Sequence, residues 1–260
     1  MSTPTQAAEI RGTLKFFIDL KFLWLEQMLE VRRTWYWFVV FSLVLPITMV
    51  FGFARIGSGL TDYESLLYII SGSAIFSVTN EGLYVLAVRI STMKKEGTLV
   101  YYASLPISKI AFLIAILLSR MVITFPGMIA PVVIGAWLYD VSFEWSPWIL
   151  ILLPLAALSL SNIGMALGVF ISNLELVQII VNLLLFVLVL AGPIFSPMEA
   201  LPLPVQVLSY FLPPTYAAAA FRAALSGSID LHFYLNLLVL IVMTIAGFTL
   251  STRLMRWRVR

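Results

Sequence analysis

Six long apolar stretches constrain this chain more than any other feature. They run over Trp35–Phe53, Leu66–Val88, Ile110–Leu138, Trp148–Ile171, Leu176–Phe195 and Leu231–Ser251. A helix needs roughly 20 residues to cross about 30 Å of hydrocarbon, and each stretch is of that order or longer. The runs are continuous and not alternating, which favours helices over a β-barrel. Composition agrees: 61% of residues are hydrophobic and 11% charged, against about 25% charged in soluble domains. The expected fold class is an all-α integral membrane protein with six transmembrane helices. The third stretch holds Pro126 and Pro131 and is expected to be kinked or broken there. Only Ser172-Asn173-Leu174-Glu175 separates the fourth from the fifth. No internal repeat is evident, so an inverted-repeat transporter gains no support.

Lys and Arg predict the orientation. Thirteen of the sixteen fall in the N-terminal segment, the loop between spans two and three, and the C-terminal tail. Those segments share one side, expected to be the cytoplasm, with both termini there and the spans in the cytoplasmic (inner) membrane. The other side carries Arg55 and Arg222 but also Asp62, Glu64, Asp140, Glu144, Glu199 and Asp230. The first 34 residues are charged and lack a clean apolar core, so no cleavable signal peptide is expected.

Two further elements are too short or too polar to span. Leu14–Arg33 places Lys15, Asp19, Glu26, Glu30 and Arg33 on one helical stripe. Phe16, Phe17, Leu20, Leu23, Trp24 and Met28 fall mostly opposite, as in a helix lying in the membrane interface. On the outer side, Pro197–Ser226 contains Pro202, Pro204, Pro213 and Pro214. Prolines at helix starts predict two short helices, a hairpin dipping into the outer leaflet before the last span.

Much chemistry is excluded. There is no cysteine and only one histidine, His232, at the outer end of span six. Thiolate sites, histidine metal sites and a Ser-His-Asp arrangement are therefore not expected, and no metal is called for. No Gly-x-x-x-x-Gly-Lys-Ser/Thr loop is present, so ATP would not bind this chain by that route.

The segment Met93–Lys109 is the most informative. It is polar at its start, apolar in its middle, and reaches Leu105-Pro106 before span three. A short helix there would set Leu99, Tyr101, Tyr102 and Leu105 beside Lys94, Lys95 and Glu96, a surface suited to a soluble partner; an ordinary charged loop would also satisfy the charge bias. The run Lys95-Glu96-Gly97-Thr98-Leu99 followed by Leu105-Pro106-Ile107-Ser108 resembles the corresponding loop of ABC-2 type permeases. A second run, Leu212-Pro213-Pro214-Thr215-Tyr216-Ala217 through Phe221-Arg222, is similar to that family's Pro-x-Thr-Tyr segment before the last span, with Pro213-Pro214 where the family often has Asn-Pro. The likeness extends over essentially the whole chain and lies nearest to drug-resistance and lipo-oligosaccharide export permeases.

That resemblance implies a transmembrane subunit without an enzymatic site of its own. It would form a homodimer, or a heterodimer with a similar permease. It would bind two copies of a separate ABC ATPase that hold the ATP and Mg²⁺, contact membrane lipids, and have no nucleic-acid partner. Residues 1–34 would be a cytoplasmic segment with the connecting helix, and 35–260 the transmembrane domain, with a coupling loop at 89–109 and the outer hairpin at 197–226. Lys94, Lys95, Glu96, Gly97, Thr98, Leu99, Leu105 and Pro106 would couple to the ATPase. The implied activity is export of a lipid, glycolipid, polysaccharide or hydrophobic drug by alternating access. The rival is an ion-coupled transporter or channel without an ATPase.

Ionisable groups inside spans are costly unless paired or wet. Glu81 and Arg120 lie at similar depths on antiparallel spans, so a pair is expected, acting either as a relay or as a packing device. Asn80, Gln178 and Asn182 would line a substrate path or hydrogen-bond between helices. Gly164-x-x-x-Gly168 permits close helix packing.

Overall fold

The structure is a computed structural model that describes residues 14–29, 32, 36, 40, 44, 47–52, 62–191 and 193–255. Among these, the chain is helical throughout and contains no strand. Helix α1 covers residues 14–29. The expected span Trp35–Phe53 lies largely outside the described residues, though those described within it, from Tyr36 to Gly52, are helical. There follow α2 (Tyr63–Thr79), a π-helical segment (Asn80–Val85), α3 (Leu86–Lys95), α4 (Thr98–Ser104), α5 (Lys109–Tyr139), α6 (Ile149–Phe170) and α7 (Leu174–Ala191). A 3₁₀ turn (Met198–Ala200), α8 (Leu203–Ser209), α9 (Pro213–Leu225) and α10 (Leu231–Leu254) complete the described chain. The Arg-rich tail 256–260 lies beyond it.

Among the described residues, four helical runs are long and apolar enough to cross a membrane: Tyr63–Lys95, Lys109–Tyr139, Ile149–Phe170 and Leu231–Leu254. α7 is apolar but shorter. The expected second span thus continues by two turns, to Lys95, as α3, because nothing between Val88 and Lys95 breaks a helix. The expected break at Pro126 and Pro131 is absent: α5 runs unbroken through both. Neighbouring helices in an apolar bundle hold a proline-containing helix together where water would compete for its freed carbonyls.

Asp62 starts α2, its carboxylate accepting the Ser65 N–H at 3.1 Å, the usual N-cap arrangement. α2 then sits at the centre of the bundle, with Leu66, Ile70, Ala74, Ile75 and Val78 in the main core. Three of its hydroxyls are satisfied within the helix: Ser71, Ser73 and Thr79 each donate to the carbonyl four residues back. The π turn follows, with the Leu86 N–H reaching back five residues to the Glu81 carbonyl. Such a turn inserts one residue and rotates the face that α3 presents.

Here α6 comes in at backbone contact. A Cβ on Gly164 would stand 2.1 Å from the Gly82 carbonyl oxygen, and one on Gly168 would stand 2.6 Å from that of Ala87. α6 is bound on its other side to α10, where Asn162 Nδ2 donates to the Thr244 carbonyl at 3.1 Å and Ser251 Oγ to the Asn162 carbonyl at 3.1 Å. The expected hairpin region does form two short helices with prolines at their starts. Arg222 on α9 is half-buried: its guanidinium donates to the carbonyls of Pro193 and Ile194, both at 3.1 Å, and lies 4.2 Å over the Tyr68 ring. That arrangement fixes α9 against α2 and the turn after α7.

Candidate functional site

A second, smaller core lies at the end of the bundle where α3 finishes and α5 begins. It joins Leu23 of α1, Ile90 and Met93 of α3, Tyr102 of α4, Phe112 and Ile116 of α5, and Met255 after α10. α4 is seated on this core. Its formation is local: Gly97 adopts φ 75°, a left-handed conformation open to glycine without strain, and reverses the chain between α3 and α4. At the far end the extended Leu105 precedes Pro106, which disfavours helix at the residue before it and ends α4.

The faces of α4 differ from the surface expected from sequence. Tyr102 is buried, and Leu99 and Leu105 pack inward on the second core. Lys95, Glu96, Val100, Tyr101, Ser104 and Pro106 are exposed, whereas Lys94, Gly97 and Thr98 are half-buried. Tyr102, Leu99 and Leu105 are the groups turned down on this apolar bed, so the free surface is Lys95-Glu96 with Val100 and Tyr101.

Lys94 has a different occupation. Its Nζ donates to the carbonyls of Gly168, Val169 and Ile171, at 3.3, 2.7 and 2.9 Å. These acceptors are at the C-terminal end of α6, where carbonyls lack helical partners and the helix dipole is negative. Lys109, at the other side of α4, does the same for α10, donating to the carbonyls of Thr252 and, at 2.6 Å, Met255. A cation so placed contributes about 0.3–1 kcal/mol when exposed and up to ~2 kcal/mol when partly buried.

α1 packs beside α4. Its Glu26 accepts the Tyr102 hydroxyl, Asp19 accepts the Ser108 N–H at 3.4 Å, and Gln27 accepts from Arg89 at 2.7 Å. The polar stripe expected to face water therefore includes residues turned towards the α4 unit. Phe16, Leu20 and Trp24 pack on the second core, while Leu14, Phe17, Ile18, Phe22, Leu25 and Leu29 are exposed as a continuous apolar stripe. Gln27 was not singled out in the sequence, and the bonds that tie Asp19, Tyr102 and Lys109 into this unit were not legible there. Their partners are 62 to 146 residues away along the chain, and no local pattern reports such a distance.

Deeper in the bundle, Glu81 in the π segment and Arg120 on α5 are both buried, with Nη1 to Oε2 at 3.9 Å. The other polar residues do not join them. Asn80 is half-buried at the α2–π junction. Gln178 and Asn182 lie on the open face of α7 with Glu175, Ile179, Leu183 and Phe186. The opposite face of α7, Val177, Val181, Leu185 and Leu188, is buried in the main core. Among the described residues there is no cluster of His, Asp and Glu able to hold a metal ion.

The comparisons fit this layout. A family model described as ABC-2 type transporter matches residues 19–226, from within α1 to the end of α9. A Bacillus subtilis (strain 168) protein named as a transport permease, YvfS, is 25% identical over 239 residues, 88% of this chain and 94% of its own length. A bundle of apolar membrane-length helices with an exposed short helix at one end, matched over most of its length, places the chain in the ABC-2 type transporter family, whose members are transmembrane components of ABC transporters.

Proposed function

We propose that this chain is the permease subunit of an ATP-driven exporter, working as a dimer on two copies of a separate ATPase. One observation carries the reading: Lys95 and Glu96, at the turn from α3 to α4, and Tyr101 on α4 are exposed, while the underside of α4 is locked into a core shared with α1, α3 and α5. A surface exposed and yet rigidly backed suits the transmission of force from a soluble partner. The α4 end is then cytoplasmic, in keeping with the Lys and Arg bias. The exposed apolar stripe of α1 would rest in the inner leaflet. The open face of α7, with Gln178 and Asn182, would meet the second copy along the pathway. Transport by alternating access would carry a lipid, glycolipid, polysaccharide or hydrophobic drug outward from the cytoplasm or inner leaflet.

Glu96→Ala tests the coupling role. In the complex with its ATPase, ATP turnover should persist while transport falls, with insertion unchanged because Glu96 is exposed. Transport still matched to ATP turnover in the variant would refute the role.

The topology proposed with it has six spans and both termini inside, with 197–226 entering and leaving the outer leaflet. Single cysteines at positions 196 and 228 can be labelled without background, since the chain has no cysteine. Both should react with an impermeant thiol reagent from the outside only; reaction from opposite faces would exclude the hairpin.

A further inference from the structure

We infer that Lys94 and Lys109 form a paired clamp through which displacement of α4 is imposed on α6 and α10. This rests on the coupling role proposed for α4. The chain itself joins α4 only to α3 and α5, so a push on α4 has no covalent route to the other two spans. The two lysines supply a hydrogen-bonded route instead. They flank α4 on either side, at the end of α3 and the start of α5, and each reaches backbone carbonyls of a helix that is remote in sequence. Lys94 holds Gly168, Val169 and Ile171 at the end of α6, and Lys109 holds Thr252 and Met255 at the end of α10.

The acceptors matter. A bond between two side chains yields by rotamer change at both ends, whereas a bond to backbone yields in this way only at the lysine. α6 and α10 are also bonded to each other through Asn162, Thr244 and Ser251, so the pair responds as one block. α1 is not gripped in this way: its bonds to Tyr102 and Arg89 run through the side chains of Glu26 and Gln27. Lys94 and Lys109 are thus positioning residues that act through helix ends, while Lys95 and Glu96 are the exposed contact surface.

Spin labels can be placed at single introduced cysteines in the dimer bound to its co-purified ATPase. Ser104→Cys reports α4, Ser172→Cys the end of α6, and Arg253→Cys the end of α10; all three positions are exposed. In the parent protein, nucleotide binding should shift the inter-subunit distance at all three sites together, and the intra-subunit distances 104–172 and 104–253 should stay constant. In Lys94→Met/Lys109→Met the shift at 104 should persist, the shifts at 172 and 253 should be lost, and transport per ATP hydrolysed should fall. Lys94→Arg/Lys109→Arg, which keeps charged donors, should recover them. If 172 and 253 fail to follow 104 in the parent, or still follow it in the double Met variant, the clamp is wrong while the coupling role stands. If 104 does not move with nucleotide in the parent, the coupling role fails and the clamp with it. Should the double Met variant not fold, Lys94→Met and Lys109→Met decide singly: each should lose the shift at its own helix end, 172 or 253, and keep the other, and a single variant that keeps both shifts overturns the clamp.

Discussion

Replacing Gly164 with leucine is expected to leave little folded protein. The position has no room for even the first side-chain atom: a Cβ would sit 2.1 Å from the Gly82 carbonyl oxygen, 2.7 Å from that of Leu83 and 3.0 Å from Leu83 Cα. All three neighbours are backbone, so none can swing aside as a side chain would. Relief requires α6 to withdraw from the π segment, and that would open the core in which Leu83, Leu160, Val177 and Val181 are buried. Overpacking a close-packed interior typically costs about 1–3 kcal/mol, occasionally more, and separation of the helices adds the loss of their packing. Gly164→Ala should already lower the unfolding midpoint in detergent, and Gly164→Leu should remove the cooperative transition or prevent accumulation in the membrane. Equal stability of the parent and the leucine variant would mean that the two helices do not meet at this distance.

Glu81→Ala and Arg120→Ala should each destabilise the protein strongly, and the double variant should be milder than the sum of the two. Both side chains are almost wholly inaccessible, and their charged atoms are 3.9 Å apart. Removing one partner strands the other charge in a region without water, typically a loss of about 3–5 kcal/mol. Removing both eliminates the stranded charge and leaves mainly a packing defect. A double-mutant cycle on unfolding midpoints isolates the coupling; additive losses would show that the pair contributes nothing as a pair. The pair is anchored on the π segment, directly beside the Gly82–Gly164 contact, so a variant here should also disturb the α2–α6 crossing. Transport measured in the most stable variant separates a packing device from a relay, because a relay would lose transport even where folding is retained.

Much of the architecture was legible in the sequence because lipid imposes a rule that side chains alone can report. Backbone polar groups must be satisfied within the segment that crosses, so a long apolar run has one available conformation. That logic locates α5, α6 and α10 within a few residues and marks the positions of α8 and α9 through their prolines. It also brings Glu81 and Arg120 together, since antiparallel spans of known length fix depth. Gly97 and Pro106, read only as parts of a motif, turn out to be the backbone devices that start and stop α4.

What tertiary structure decided are the matters of azimuth and partnership. Sequence spacing gave no way to know that Tyr102, Leu99 and Leu105 point into a core, because α4 is too short for its periodicity to be distinctive and its bed is assembled from α1, α3 and α5. The π turn at Asn80–Val85 has no composition of its own; it arises where Gly82 must yield to α6. Lys94 was read from the sequence together with Lys95 as part of the coupling loop, and Lys109 as one more charge on the same side. Their roles differ because the ends of α6 and α10, 74 to 146 residues further along the chain, arrive beside them with unpaired carbonyls. A cation's charge is a property of its residue, but which dipole it satisfies is a property of the packing.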